Sequence, residues 1–300
     1  MSGGGRDGIG RRAVTLTSLA DKKAAGEPIV MVTAYDHPSA RIADEVGIDI
    51  VLVGDSAANV VLGYESTVPV TVEEMLVLTR AVRRGLQSAL LVADLPFGSY
   101  EASDEQAVRT AQRFVKDGGA DAVKLERAGT SVDRARAVIQ AGIPVMGHVG
   151  LTPQAATSLG GYRVQGRTAE QADQLIQDAL ALQAAGCFAV VLEAVPAAVT
   201  ELLVPMMTCV VIGIGAGGAT DGQVLVWHDL LGLSTGHLAK FVRRFADLRG
   251  ESIRGLSAYA DAVRHHEFPA AEHTYAIPTA ELDALRTRLA ATYEQVPHAD

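Results

Sequence analysis

Short, almost continuous apolar runs recur along the chain, and a stretch with helical periodicity follows most of them. Such runs, rich in Val and Ile, are typical of parallel strands that are buried on both faces. The stretches between them place apolar residues three and four positions apart, as amphipathic helices do. We predict strands near 28–35, 48–55, 88–94, 120–126, 143–148, 187–193, 208–214 and, from a weaker pattern, 223–227, with helices at 38–46, 73–85, 103–117, 131–141 and 168–185.

Eight strands that alternate with helices fit a closed (β/α)8 TIM barrel built as a single domain, and 300 residues are enough for one. An open, doubly wound sheet is the alternative. Additional N- and C-terminal helices are predicted at about 15–26, 235–250, 252–265 and 279–293. We therefore expect a disordered tail at 1–12, a catalytic barrel domain at 13–274 and a helical extension at 275–300.

The last predicted helix carries Leu282, Leu285 and Leu289 on one face. This leucine stripe would pack either on a neighbouring subunit or on its own chain.

Ionisable residues stand at the ends of six of the apolar runs. Burying a charge there costs several kcal/mol unless the charge is paired, hydrated or bound to a metal. Both candidate topologies bring the carboxyl ends of the strands together, which is where such folds form active sites. The pattern therefore predicts one polar pocket and an enzyme. The residues are Asp36, Asp55, Asp94, Lys124 with Glu126, His148 and Glu193.

Asp55 and Asp94 end the second and third strands, which are neighbours in a barrel. Two adjacent carboxylates repel each other, and a hard cation such as Mg²⁺ would relieve that repulsion. Alternatively, each carboxylate caps a helix or pairs with a basic group. Lys124 and Glu126 project from the same face of the fourth strand. Lys124 would neutralise an anionic substrate, and Glu126 would hold a water bound to the metal. Alternatively, the two residues would form a self-contained ion pair.

His148 ends the fifth strand, where it would face a ligand or serve as a hydrogen-bonded core histidine. Glu193 follows the apolar run A-V-V-L and has no cationic partner near it in the sequence. Apolar surroundings favour the protonated form of a carboxyl group, which suits Glu193 to proton transfer. A salt bridge from Glu193 to Lys124 across the barrel is the other possibility.

Composition narrows the classes of function. A net charge of −9 argues against a nucleic-acid partner, which would call for a basic face. No apolar run approaches the roughly 20 residues of a membrane helix, and the opening M-S-G-G-G-R-D lacks an apolar signal core. We expect a cytoplasmic protein in which Cys187 and Cys209 are buried thiols rather than a disulfide.

The segment Gly213–Gly218 (G-I-G-A-G-G) does not have the spacing of a dinucleotide fingerprint, and it comes late in the chain. Its glycines would let the backbone approach a ligand or make a tight turn.

A series of motifs, collinear over about 28–245, closely resembles the ketopantoate hydroxymethyltransferase family. They are T-A-Y-D at 33–36, V-G-D-S at 53–56, S-T-V-P-V-T at 66–71, A-D-L-P-F at 93–97, V-K-L-E at 123–126, G-H-V-G-L-T-P-Q at 147–154, G-G-Y-R-V-Q-G-R at 160–167, I-G-I-G-A-G at 212–217 and T-D-G-Q-V-L-V-W-H-D at 220–229. Each motif alone is modest support for the family, but so many in the same order are highly specific.

The resemblance implies transfer of a one-carbon unit from 5,10-methylenetetrahydrofolate to the α-keto acid 3-methyl-2-oxobutanoate, giving 2-dehydropantoate through an enolate. It also implies a homo-oligomer, often a decamer. By the same resemblance Asp55 and Asp94 would ligate Mg²⁺, with Glu126 completing the metal site through water. Asp55, Ser56, Asp94 and Lys124 would bind the keto acid, with His148 and Tyr35 lining the pocket, and Glu193 would accept the proton.

The sequence departs from the family pattern directly after two of the proposed site residues. After Glu126 the segment reads L-E-R-A-G in place of L-E-G-G. After Glu193 it reads L-E-A-V-P in place of L-E-C-V-P. Two other functions remain to be weighed. One is a Mg²⁺-dependent barrel of the isocitrate lyase/phosphonopyruvate mutase kind. The lyases of that kind use a loop cysteine, and the absence of a cysteine near the strand ends disfavours this alternative. The other is a non-catalytic barrel that holds phosphate at Gly213–Gly218.

Overall fold

The computed structural model describes residues 12–155, 163–236 and 238–293. The tail expected at 1–12 therefore lies outside the described residues except for Arg12, and so does the beginning of the motif at 160–167.

Eight parallel strands form a closed barrel in which each strand pairs with the next and the last pairs with the first. The predicted (β/α)8 TIM barrel is therefore confirmed, and the open sheet is excluded. The strands are β1 (Ile29–Thr33), β2 (Ile50–Val53), β3 (Leu90–Asp94), β4 (Ala122–Lys124), β5 (Val145–Gly150), β6 (Ala189–Glu193), β7 (Val210–Ile214) and β8 (Gly222–Leu225).

Helices follow the strands, as the periodicity predicts. They are α1 (Leu16–Ala25), α2 (His37–Glu45), α3 (Ala57–Val60), α4 (Val72–Gly85), α5 (Asp104–Lys116), α6 (Thr130–Gln140), α7 (Ala169–Ala185), α8 (Ala197–Leu203), α9 (Trp227–Leu230), α10 (Leu248–Arg264) and α11 (Thr279–Tyr293), with 3-10 turns at Pro153–Ala155, Val204–Met206 and Ala271–His273.

The helix predicted at 235–250 is wrong. The described residues from 233 to 247 form turns and irregular backbone. Gly232 and Gly236 both adopt positive φ, which a right-handed helix does not allow. Asp247 then caps α10 by accepting a hydrogen bond from the Gly250 N–H at 3.1 Å, so this helix begins at Leu248.

Two apolar layers hold the barrel together because alternate strand residues point inwards and outwards. The outward residues pack under the surrounding helices in the larger cluster. The inward residues fill the barrel with side chains such as Met31, Ile50, Val92 and Met146. Each such aliphatic side chain contributes roughly 1.5–3 kcal/mol when it is buried. The interior is thus a packed core beneath the mouth of the barrel.

The N-terminal helix α1 belongs to this core. Thr15 caps its start by accepting a hydrogen bond from the Ser18 N–H, and Gly26 ends it in the left-handed conformation. Leu19 from α1 is completely buried and joins the interior cluster. The predicted helix at 15–26 is therefore a structural part of the barrel.

The chain divides into two compact units, 1–246 and 247–300. All eight strands belong to the first unit. The second unit contains α10 and α11, and on α11 Leu285 and Leu289 of the predicted leucine stripe are nearly half exposed. The expected domain boundary after 274 stays a prediction. No helix among the described residues has the length and apolar character that a membrane crossing requires.

Candidate active site

Strand alternation carries polar side chains to the mouth of the barrel. On β3, Leu90 and Val92 point into the interior, so Asp94 two residues later points the same way. On β4, Ala122 is an interior residue and Lys124 follows it in register, paired with Asp94 across the two strands. The side chains predicted from the sequence meet at one cavity of about 100 Å³, which is lined among others by Asp55, Ser56, Asp94, Lys124, Glu126, His148 and Glu193.

Asp94 links Asp55 to Lys124. Its Oδ2 accepts a hydrogen bond from the Asp55 backbone N–H at 3.0 Å, and its Oδ1 lies 2.9 Å from Lys124 Nζ. Burial raises the pKa of Asp94. Burial also raises the pKa of Asp55 well above its usual range, and the charges of Glu126 and Asp94 add to that effect. Asp55 has no ion-pair partner in the part of the chain that the structure describes, so its negative charge is the least compensated.

Lys124 is buried, and burial alone would lower its pKa. The charges of Asp94, Glu126 and Asp55 outweigh burial, so the pKa of Lys124 rises above its ordinary value. Its ammonium group is therefore a fixed positive charge at the mouth of the barrel, where an anionic ligand would meet it.

His148 lies between two carboxylates. Its Nδ1 is 3.3 Å from Glu126 Oε1, and its Nε2 is 3.2 Å from Glu193 Oε2. Burial and the Lys124 charge act to lower the pKa of His148, but Glu126 and Glu193 raise it to about 9. Burial likewise acts to raise the pKa of Glu126, and the hydrogen bond and charge of His148 lower it. The two carboxylates therefore favour the protonated form of the imidazole.

Glu193 is the most accessible carboxylate of the cluster, with 16% of its side chain exposed. No salt bridge joins it to Lys124 within the described chain; its close ionic contact is His148. Besides the small cavity it lines two larger ones, of about 740 Å³ and 370 Å³, which also share Phe241. Glu193 therefore stands where the buried pocket opens.

Two residues that the sequence did not single out hold the cluster in place. The Gln154 backbone N–H donates to Glu126 Oε2 at 3.1 Å, and its side-chain Nε2 donates to Asp55 Oδ2 at 2.9 Å. The Tyr100 hydroxyl donates to Gln154 Oε1 at 2.6 Å and accepts from the Glu126 N–H at 3.3 Å. Gln154 closes the motif at 147–154, but an uncharged amide gave no separate signal.

Ser56 lines the small cavity, whereas Tyr35 lies behind it. The Tyr35 hydroxyl and Ser56 Oγ are 2.9 Å apart, and Tyr35 is buried. Burial raises the pKa of Tyr35, so the phenol stays neutral. A Cβ at Gly54 would come within 2.9 Å of Ser56 Oγ, so glycine gives the serine its room. Tyr35 thus supports the serine and does not itself line the pocket.

The chain leaves two site strands through a non-glycine residue at positive φ. Arg127 follows Glu126 with φ of 75°, and Ala194 follows Glu193 with φ of 49°. Such conformations cost about 1 kcal/mol or more outside glycine. The Arg127 N–H donates to the His148 carbonyl at 2.9 Å and the Ala194 N–H to the Ile214 carbonyl at 2.9 Å. Each of these turns directly follows a glutamate whose side chain lines the cavity.

Asp36 does not join the site. Its side chain caps α2 by accepting a hydrogen bond from the Ser39 N–H at 2.8 Å. A strand-end carboxylate that caps the next helix is thus distinguished from one that faces the pocket only by the fold.

The glycines of the segment Gly213–Gly218 are explained in part by internal packing. A Cβ at Gly213 would lie 2.9 Å from Thr220 Oγ1, and one at Gly215 would lie 2.4 Å from the Phe241 ring. A Cβ at Gly217 would meet Ala197 at 2.6 Å. Close packing at three of these positions removes the main reason to assign a phosphate site to the segment.

Both cysteines are free, as expected. Burial raises the pKa of Cys187 to about 12 and that of Cys209 to about 11, so both stay as thiols.

A closed parallel barrel with buried carboxylates, a lysine and a histidine at the carboxyl ends of its strands is the architecture of a (β/α)8-barrel enzyme. The family described as Ketopantoate hydroxymethyltransferase matches residues 13–271. The chain belongs to this family and is a transferase.

Curated relatives are similar over most of their length. A 3-methyl-2-oxobutanoate hydroxymethyltransferase of Saccharopolyspora erythraea is 56% identical over 265 residues, covering 88% of this chain and 90% of that protein. One of Frankia alni is 53% identical over 268 residues, covering 88% and 87%. One of Moorella thermoacetica is 52% identical over 265 residues, covering 88% and 98%.

Solved structures of distant proteins share the barrel. A phosphonopyruvate hydrolase aligns over 94% of this chain and 99% of its own with a TM-score of 0.58 at 12% identity. A 2,3-dimethylmalate lyase, a PEP mutase/isocitrate lyase superfamily member, aligns over 91% and 98% with a TM-score of 0.54 at 15% identity. At these identities the likeness shows the fold alone, so it does not favour the lyase or mutase alternative.

Proposed function

We propose that this transferase moves the one-carbon unit of 5,10-methylenetetrahydrofolate to 3-methyl-2-oxobutanoate. The keto acid, the folate donor and one water would enter the reaction, and 2-dehydropantoate and tetrahydrofolate would leave it. One observation carries the proposal beyond family membership: a buried ammonium group, Lys124, and an accessible carboxylate, Glu193, face the same small cavity. The ammonium group would bind the carboxylate of an α-keto acid, and the glutamate would accept the C3 proton.

The donor set fits Mg²⁺ in the mode in which the ion keeps several waters and takes one or two carboxylates. Asp55 is buried without a cationic partner among the described residues, and a bound cation would stabilise its ionised form. Asp55 and Asp94 are the carboxylates that would hold the ion. Within the described chain no three acidic, histidine or cysteine side chains stand close enough to share a metal directly. Bound there, Mg²⁺ would act as a Lewis acid on the keto and carboxylate oxygens of the substrate.

The residues of this chain would do the rest. Lys124 and Ser56 would hold the carboxylate of the keto acid, with Tyr35 orienting the serine. Glu193 would take the C3 proton. His148, whose Nε2 lies 3.2 Å from Glu193 Oε2, would stabilise the ionised form of Glu193 before the transfer. The electron pair left at C3 would then form the new carbon–carbon bond to the one-carbon unit, whose two C–N bonds to the folate break so that tetrahydrofolate leaves with both nitrogens protonated. The oxygen of the new hydroxyl comes from the water.

We further propose a cytoplasmic homo-oligomer, a decamer by family resemblance. Large apolar side chains exposed on α10, among them Ile253, Leu256 and Tyr259, support packing against another chain.

The test is a product assay with the keto acid and methylenetetrahydrofolate, with Mg²⁺ or with EDTA, together with calorimetric titration of Mg²⁺. Asp94→Asn keeps an oxygen that can accept the Asp55 N–H but loses the charge, so Mg²⁺ binding and turnover should fall together. The exposed control Asp117→Asn, at the end of α5, should behave as wild type. Full turnover in EDTA would defeat the metal role, and no product from wild type under any condition would end the proposed function.

A further inference from the structure

A separate cavity of about 360 Å³ lies beside the ends of β4 and β5. Arg127, Ala128 and Gly129 line it from the segment between β4 and α6, and Asp178 lines it from α7. None of the residues that line it also lines the catalytic pocket. Its volume is near the lower end of the range for small-molecule sites. The cavity therefore suits a small ligand that the proposed transfer reaction does not account for.

Arg127 makes one side of this cavity positive. It stands where the family pattern has glycine, so this cation is a feature of the chain itself. Arg127 is exposed, and no described carboxylate lies within ion-pair distance of it. The backbone N–H groups of Ala128, Gly129 and Thr130 donate to no described residue, and no side chain caps the start of α6. A guanidinium group beside the N-terminus of a helix favours an anionic group.

Thr152 brings a buried hydroxyl to the same cavity. Only 4% of this residue is exposed, and its side chain makes no hydrogen bond with any residue that the structure describes. Leaving a buried polar group without a partner is unfavourable. Because the side chain lines the cavity, its hydroxyl is available to a ligand there. This is a second sign, independent of the helix start, that the cavity is built to hold a polar molecule.

Asp178 makes another wall of the cavity negative. Its Oδ1 accepts a hydrogen bond from Gln174 Nε2 at 2.8 Å, and no described cation lies within ion-pair distance of it. Burial raises the pKa of Asp178, and a bound cation would stabilise its ionised form. Arg127 and Asp178 thus line one cavity without pairing with each other. A ligand that carries both charges would satisfy both residues.

We propose that this cavity binds a small free amino acid, with its carboxylate at Arg127 and the start of α6 and its ammonium group at Asp178. Thr152 donates its hydroxyl hydrogen to the carboxylate. Val149 and Ala155 are buried and form an apolar part of the wall, which suits a short alkyl side chain. The site is additional to the proposed transfer reaction, whose residues lie in the catalytic pocket.

The test measures the dissociation constant of alanine by calorimetric titration. Propionate and ethylamine, which each carry one of its two charges, should bind about 10-fold more weakly than alanine. Arg127→Gln should weaken alanine binding about 5-fold because the arginine is exposed. Asp178→Asn should weaken it about 10-fold, and Thr152→Val about 3-fold. Lys116→Gln, which removes an exposed cation in the last turn of α5, is the matched control and should leave the constant unchanged.

Asp94→Asn separates this cavity from the catalytic pocket, because it changes that pocket alone. The alanine constant of this variant should equal that of wild type, and thermal melts check that every variant is folded. Three results would overturn the proposal: no saturation of wild type at tens of millimolar alanine, propionate binding as tightly as alanine, or unchanged constants in both Arg127→Gln and Asp178→Asn. Loss of alanine binding in Asp94→Asn alone would place the amino acid in the catalytic pocket and would overturn it as well.

Discussion

Gln154 is a buried residue that donates hydrogen bonds to both Asp55 and Glu126. Replacing it with leucine removes the side-chain amide. Leucine is similar in size but lacks the three side-chain hydrogen bonds: to Asp55 Oδ2 at 2.9 Å, to the Leu95 carbonyl at 3.0 Å and from the Tyr100 hydroxyl at 2.6 Å. The bond from the Gln154 backbone N–H to Glu126 is kept. The variant therefore tests the side chain alone.

The cost follows from the groups left without partners. Each buried polar group that loses its hydrogen bond costs about 1–3 kcal/mol, so three would cost about 3–9 kcal/mol. Burial of the leucine side chain returns roughly 1.5–3 kcal/mol. We expect the free energy of unfolding to fall by about 1.5–6 kcal/mol, a large part of the roughly 5–15 kcal/mol typical of a domain. Because outer-sphere partners also orient metal ligands, Mg²⁺ affinity should fall about 10–100-fold.

Urea denaturation followed by circular dichroism at fixed protomer concentration measures the loss, and calorimetry measures Mg²⁺ binding. Gln112→Leu, an exposed position on α5, is the control and should stay within about 0.5 kcal/mol of wild type. Tyr100→Phe removes the hydroxyl that donates to Gln154 Oε1. Because both substitutions break this one hydrogen bond, the stability lost by the double variant should be smaller than the sum of the two single losses, by at least about 0.5 kcal/mol. A Gln154→Leu protein as stable as the control, or strictly additive losses, would refute this description of the network.

Three further predictions rest on single local features. Arg127 has φ of 75°, so Arg127→Gly should raise the free energy of unfolding by about 0.5–1 kcal/mol, whereas Arg127→Ala should not; equal values would show that no strain is stored there. Gly215→Ala should lower the thermal midpoint, because the new Cβ would meet the Phe241 ring at 2.4 Å; an unchanged midpoint would contradict that packing. Burial acts to raise the pKa of Asp44, but hydrogen bonds from Ala89 and Ser88 lower it below the ordinary value. A lowered folded-state pKa adds stability above the unfolded value of about 3.9 that is lost as pH falls. Asp44→Asn should therefore be less stable than wild type at pH 6, and the gap should shrink towards pH 3 in parallel urea titrations; a constant gap would contradict this.

The barrel and most of its polar mouth followed from local rules. Apolar runs of four to six residues identified all eight strands, and the period of two along a strand explains why Asp94, Lys124 and His148 face the same cavity. The same rule could not separate Asp36, which caps a helix, because capping and pocket carboxylates look alike in sequence.

Gln154 and Tyr100 were missed for a different reason. They are uncharged and lie beyond strands β5 and β3, and only barrel closure brings both to Asp55 and Glu126. The segment at 235–250 was misread because its apolar spacing resembles a helix, while positive φ at Gly232 and Gly236 decides otherwise. Hydrophobic periodicity contains no information about long-range contacts or about the sign of the backbone angle φ.

The central claim is that Glu193 removes the C3 proton of a keto acid held beside it, and proton exchange tests it most directly. Nuclear magnetic resonance in deuterated buffer with Mg²⁺ and 3-methyl-2-oxobutanoate, without folate, follows loss of the C3 proton signal for wild type and Glu193→Gln. We predict rapid exchange with wild type, and with the variant a rate near that of buffer although the keto acid still binds. Wild-type exchange by Glu193→Gln would contradict the account.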